Sequence, residues 1–399
     1  MRRRRRNWTP GLAVLIPVAL IVGIWLGGHP GNLPGVARDT LVADSDGRLY
    51  EEAVDTIERD YYRKVDRKDL LNKSLGAAVQ SLKDPFSNYF SPSAYTGFQE
   101  QTEGQFEGVG MTVTAVKQGL RVNEVYDGSP AKQGGIEPGD IIVRVNGRSL
   151  AGRSSEESTA LIKGKVGTPV TLTVDDGHKT RDIRLKRAKV DVPEVESKLE
   201  TQDGHKIGWV HLASFTSGAH SEVGAAVRKQ IADGAQGIVF DLRGNGGGLL
   251  NEAVQIASIF IPDGRIVSTK GRARAEHVYN ATGGAISTKI PVVVLVDDHS
   301  ASASEIVTGA LQDRKRATVV GTHTYGKGVF QEIERLSNGG ALDITVGEYF
   351  TPSGRNLGGG GVKQGAGIQP DVKAEDDPKT KQRDEALDVA VETVAREST

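Results

Sequence analysis

Between residues 44 and 101 the apolar positions recur at helical spacing. Leu49, Ala53, Ile57 and Tyr61 share one face, and Leu70, Leu71, Leu75, Ala78 and Leu82 share another. Two helices are expected, the second broken by Asp84-Pro85. The aromatics that follow, Phe86, Tyr89, Phe90, Tyr95 and Phe98, read as a small packed cluster with nothing to suggest chemistry. The period then changes. Short β-type runs at 111–116, 120–125, 141–145, 169–174 and 180–185 alternate with Gly, Pro and Asp turns, with one helix over 155–162. From 190 to about 372 strands alternate with helices, the pattern of an α/β core. Strands are expected at 207–212, 237–242, 291–296, 317–320 and 341–349, and helices at 221–233, 249–260 and 306–311. A last helix over 384–396 carries Leu387, Ala390, Val391 and Val394 on one face.

The beginning of the chain has another character. Residues 2–6 are all arginine, and 11–26 form an apolar run flanked by Trp8 and Trp25. With its flanks this run is long enough to span a bilayer, and the arginines place that end in the cytoplasm. The expectation is a single-pass signal-anchor in the cell membrane, with the body of the chain outside the cytoplasm. Cleavage near Gly35-Val36-Ala37, giving a secreted protein, is the alternative. The resulting division is Arg cluster and anchor over 1–28, linker over 29–43, helical segment over 44–104, β-rich module over 105–187, α/β core over 188–375 and terminal helix over 376–399.

Composition removes several options. A formal net charge of -1 gives no reason to expect nucleic acid as a partner. The absence of cysteine excludes disulfides, thiolate catalysis and thiolate-bound metal.

The chemistry concentrates in two places. Ser300-Ala301-Ser302-Ala303-Ser304-Glu305 is a small-residue turn between an apolar strand and a helix, which is how a nucleophile is held at the mouth of an α/β sheet. A serine hydroxyl there needs a base. Lys327 stands between Gly326 and Gly328, where close backbone approach walls in an ammonium and lowers its pKa. Gln331 lies four residues on, on the same face of a helix or a strand, and is placed to orient the lysine. Sequence physics does not choose among the three serines, and one of Ser300 and Ser304 is expected to cap the helix. Gly246-Gly247-Gly248 offers bare backbone N–H groups to a developing oxyanion, or is a tight turn and nothing more. The N–H of Ala303, at a helix start, is a second donor.

Gly108-Val109-Gly110-Met111, followed by Ser129-Pro130-Ala131 and Gly139-Asp140-Ile141-Ile142, resembles a PDZ domain. That resemblance implies a loop at Gly108, Val109, Gly110 and Met111 whose N–H groups receive a peptide's terminal carboxylate, beside a groove that takes the tail as an added strand. A PDZ fold serving only as spacer or lid is the plainer alternative. Together with the Ser/Lys pairing and Asp241-Leu242-Arg243-Gly244-Asn245-Gly246-Gly247-Gly248, it makes the chain resemble the C-terminal processing peptidases (tail-specific proteases, peptidase family S41). Asp84-Pro85-Phe86 with Tyr89, Thr351-Pro352-Ser353-Gly354-Arg355 and Gly367-Ile368-Gln369-Pro370-Asp371 extend the likeness from about Leu49 to the C-terminus.

The resemblance implies a crotonase/ClpP-like α/β protease core, a small β-rich PDZ domain and an N-terminal helical segment. It makes Ser302 the nucleophile, Lys327 the general base, Gln331 the residue positioning the lysine, and Gly247 and Ala303 the oxyanion donors. It implies no metal and no cofactor. The partners it implies are protein substrates with apolar C-terminal tails, the membrane through the N-terminal helix, and a regulatory or adaptor protein. Gating of the site is a second role for the PDZ domain. Two other classes compete: a non-catalytic PDZ scaffold that collects C-termini, and a serine hydrolase using His299 or His323 as base.

Overall fold

The computed structural model describes residues 45–202, 204–377, 380 and 383–398. The arginine cluster, the apolar run at 11–26 and the linker lie outside the described residues; among those described, no helix is long and apolar enough to cross a membrane. The chain divides into two compact units after Ser81. In the first, helices Ser45–Asp60 and Arg67–Gln80 form where the apolar spacing predicts them, and Asp66 caps the second by accepting the N–H of Asp69. A third helix, Pro92–Glu103, belongs to the second unit and was not expected. Ser91 caps it, proline opens it and Gly104 closes it in the left-handed region.

Among the described residues, the second unit holds one hydrophobic cluster in an antiparallel module and two on the opposite faces of a larger sheet. Strands Met111–Val116, Gly119–Val125, Ile141–Val145, Pro169–Asp175 and Thr180–Lys186 form one antiparallel sheet in the order of introduction, with Arg148–Ser149 off its middle. Leu120, Val122, Ile142, Val145, Leu172 and Val174 fill its core. Among the described strands, Met111–Val116 pairs only with Gly119–Val125 and is therefore an edge, with helix Ser155–Ile162 packed beside it. Both ends of this module pass through one two-stranded neck, Gln105–Gly108 against Ala188–Asp191.

The larger core is built on a six-stranded sheet. Val195–Gln202 runs antiparallel to His205–Leu212; Gly237–Asp241, Val292–Val296, Thr318–Gly321 and Val372–Lys373 then follow in parallel. Val292–Val296 is all apolar and wholly buried, as a strand covered on both faces must be. Helices Ala219–Ala232, Leu250–Phe260 and Ala303–Asp313 contribute to the core on one face, and Glu385–Glu397 covers the other. Arg243 fastens that last helix, bonding both Asp241 and its N-cap Asp384. A second sheet, centred on the long strand Ala341–Phe350, pairs it with Asn88–Phe90, Arg265–Lys270 and Val329–Arg335. Residues 88–90 thus join this sheet across more than 250 positions of sequence.

Candidate active site

Val292–Val296 ends, the chain turns, and Ala303–Asp313 begins with Ser302 at its N-cap. Ser302 has φ 57° and ψ −112°, a region that costs a residue with a Cβ about 1–3 kcal/mol. The neighbouring serines hold it there. Ser300 Oγ donates to the Leu242 carbonyl and Ser304 Oγ to the Asn245 carbonyl, each at 2.8 Å. Neither caps the helix, contrary to the expectation; both tie the turn to the end of the adjacent parallel strand. The phenol of Tyr349 lies at the Ser302 side chain, and burial pushes its pKa up, which keeps it neutral.

Glu305 joins the two halves of the site. It is fully buried, and its Oε2 accepts the backbone N–H of Ser302 and of Lys327, each at 2.9 Å. Its Oε1 accepts from Thr324 Oγ1 at 2.6 Å and from the N–H of Gly326 at 2.7 Å. Burial pushes this carboxyl above its ordinary range while the four donors pull it back. One side chain thereby fixes the spacing of the Ser302 and Lys327 backbones. The sequence displays Glu305 only as the end of the serine run, with no sign of this role.

Lys327 is walled in. A Cβ on Gly326 would stand 2.3 Å from the Lys363 carbonyl, so only glycine lets the chain pass. Burial lowers the Lys327 pKa, against the opposing pull of Asp343, Asp84 and Glu305. Its Nζ donates to Gln331 Oε1 at 2.9 Å and lies 4.8 Å from the centre of the Phe86 ring. Gln331 Nε2 donates to Thr345 Oγ1 at 2.9 Å. The aromatic segment therefore does more than pack on itself. Phe90 and Phe98 do stack, with centroids 4.9 Å apart, but Phe86 faces the lysine. Among the described residues no hydrogen bond joins Lys327 Nζ to Ser302.

The two candidate oxyanion donors differ. The N–H of Ala303 is in the first helical turn, where it has no partner within the helix. Gly247 lies against Ser302, since a Cβ there would meet the Ser302 Cβ at 2.8 Å. Its N–H, however, donates to Asn245 Oδ1 at 2.8 Å and is not free in this structure.

In the loop Gly108, Val109, Gly110 and Met111, the Val109 carbonyl accepts from Ala131 N–H and the Gly110 carbonyl from Tyr126 N–H and Ser129 Oγ. Peptide planarity turns the N–H of Gly110 and Met111 the opposite way. The histidines stand apart. His299 is exposed and pairs with Asp298 at 2.8 Å, and His323 lines a hollow of about 880 Å³ that neither Ser302 nor Lys327 lines. A smaller hollow, about 500 Å³, is lined by Asp84, Phe86, Tyr325, Val329, Thr345 and Val362, next to the lysine.

A family model described as Peptidase family S41 matches residues 206–374, and a PDZ domain model matches 98–175. The chain is 33% identical over 374 residues to a "Probable CtpA-like serine protease" of Staphylococcus haemolyticus, covering 93% of this chain and 73% of that protein. It is 36% identical over 331 residues to a protein of the same name in Staphylococcus aureus, covering 82% and 64%. A solved structure, "Photosystem II D1 C-terminal processing protease", is similar over 88% of this chain and 98% of that one, at 28% identity and a TM-score of 0.50.

Proposed function

The chain belongs to peptidase family S41, and on that premise we propose that it is a serine endopeptidase that cleaves proteins near their C-termini with a Ser302/Lys327 dyad. One observation carries the dyad: a single oxygen of Glu305 accepts the backbone N–H of both residues, while burial keeps the lysine's pKa low. Neutral Lys327 takes the Ser302 proton as Oγ attacks the peptide carbonyl. The Ala303 N–H receives the oxyanion, joined by the Gly247 N–H once it leaves Asn245. Lys327 returns the proton to the departing amine, and water repeats the sequence on the acyl-enzyme. Nζ must turn from Gln331 toward Ser302, a contact that catalytic sites often complete only with substrate bound.

The pH dependence tests the base. A lysine must lose its proton to act, so activity on an unfolded protein with an apolar tail should rise with pH along one ionisation below 10.5, the ordinary lysine value, and survive chelators. A rate that is flat from pH 6 to 10, or that needs added zinc, would contradict the assignment.

The free edge Met111–Val116 beside helix Ser155–Ile162 supports capture of the substrate tail as an added strand, its carboxylate on the N–H groups of Gly110 and Met111. Amidating the tail should then slow its cleavage severalfold, and equal rates for free and amidated tails would make the domain a spacer. Residues 2–6 and the apolar run 11–26 support a single-pass anchor with the catalytic body outside the cytoplasm. Carbonate extraction of membranes tests this: a chain released into the supernatant is not anchored.

A further inference from the structure

A directed chain of hydrogen bonds leads outward from Lys327. Its Nζ donates to Gln331 Oε1, and Gln331 Nε2 donates to Thr345 Oγ1. Thr345 stands beside Asp84: against the upward push of burial, the Ser87 and Thr345 hydroxyls hold the Asp84 carboxyl below its ordinary range. Asp84 also accepts the Phe86 N–H at 3.0 Å and the Ser87 hydroxyl at 2.6 Å. Ser87 Oγ in turn accepts the backbone N–H of Thr345 at 3.0 Å. The turn 84–87 therefore holds the Thr345 backbone through Ser87, which Asp84 in turn fixes. Gln331 meets Thr345 where the ladder between Val329–Arg335 and Ala341–Phe350 slips, just after Phe330. Such an irregularity re-aims a side chain.

The polarity of this chain matters more than its length. A glutamine amide fits its space equally well in two orientations. With the NH₂ toward Lys327, two donors would face each other. The carboxyl of Asp84 beside Thr345 draws the hydroxyl proton its way and leaves the threonine oxygen to accept from Gln331 Nε2, which holds the amide oxygen toward the lysine.

We propose that Thr345, set by Asp84 and Ser87 of the turn before strand Asn88–Phe90, is a positioning residue that fixes the Gln331 amide and through it the Lys327 amine. The inference rests on Lys327 being the base. The groups facing that amine are Asp343, Asp84 and Glu305 with the Phe86 ring; Thr345→Val takes one hydroxyl from Asp84 and leaves all three carboxyls and the ring in place.

The experiment measures kcat, KM and the pH profile of the full chain with Thr345→Val and Thr345→Ser, beside Gln331→Ala and Lys327→Ala. Valine keeps the shape and loses the hydroxyl, so kcat should fall about tenfold, the scale of one buried hydrogen bond, with KM little changed. Serine should restore it. An oxygen acceptor favours the ammonium, so its loss should move the acid limb to lower pH as well as lowering the plateau. In a Gln331→Ala background, Thr345→Val should have no further effect on kcat. Wild-type kcat and pH profile in Thr345→Val, or an undiminished effect in the Gln331→Ala background, would overturn the proposal. Full activity in Lys327→Ala would instead overturn the reading of the base. If Thr345→Val does not fold, Asp84→Asn serves, since an amide nitrogen facing the Thr345 and Ser87 hydroxyls breaks the polarity. It should reproduce the fall in kcat, and wild-type kcat there would equally count against the proposal.

Discussion

Ser302→Ala and Lys327→Ala are each expected to lower kcat/KM on a tailed protein substrate by about 10⁴-fold or more, leaving the fold intact. The two side chains act in one step, and removing either removes that step. The double variant should therefore be no slower than the slower single one. Ser302→Ala leaves its backbone N–H on Glu305, and Lys327→Ala does the same for its own, so neither disturbs the frame. Single-turnover assays with circular dichroism as a fold control give the comparison. A Lys327→Ala protein within tenfold of the parent would end the Ser/Lys assignment.

Glu305→Leu should damage both stability and activity. It strands three backbone N–H groups and the Thr324 hydroxyl in a fully buried position. Each unsatisfied buried donor costs about 1–3 kcal/mol, so the sum is comparable with the whole stability of an ordinary domain. Glu305→Gln should be milder in melting temperature, because one oxygen still accepts. Its NH₂ must nevertheless face two of the donors, and activity should fall by about 100-fold, the scale of two lost buried contacts at the site. Differential scanning calorimetry and the same cleavage assay separate the two effects. A glutamine variant with parental activity would show that the carboxylate is not what spaces Ser302 from Lys327.

How much of this was written in the sequence depends on distance along the chain. The strand 292–296 and the amphipathic helices announce themselves by local period. The start of the serine helix does not, because 300–305 is small and polar and carries no period; the expected start at 306 becomes Ala303. Strands Val195–Gln202, Arg265–Lys270, His277–Asn280 and Val329–Arg335 escaped notice for a related reason. They mix charged and polar residues with apolar ones, even where, as in Arg265–Lys270, most positions are buried, and what makes them strands is their pairing. The spacing of Lys327 and Gln331 was legible because four residues suffice to state it. The contacts of Phe86 with Lys327, of Ser87 with Thr345 and of Tyr349 with Ser302 join positions with no local relation, and only the folded chain brings them together.

The two-stranded neck has a consequence for modularity. Gln105 pairs with Asp191, so the chain leaves for the PDZ domain and returns from it on adjacent strands, about 5 Å apart. Thr102 and Gly104 on the outgoing side already bond Ser217 and Val192 on the returning side. The domain is therefore a cassette: a tight turn in its place closes the same gap. Its loss leaves uncut the turn at 84–87, the helix start that carries Ser302 and the loop that carries Lys327. A chain built this way can exchange one module for another at the neck, or carry none, without rebuilding the α/β body.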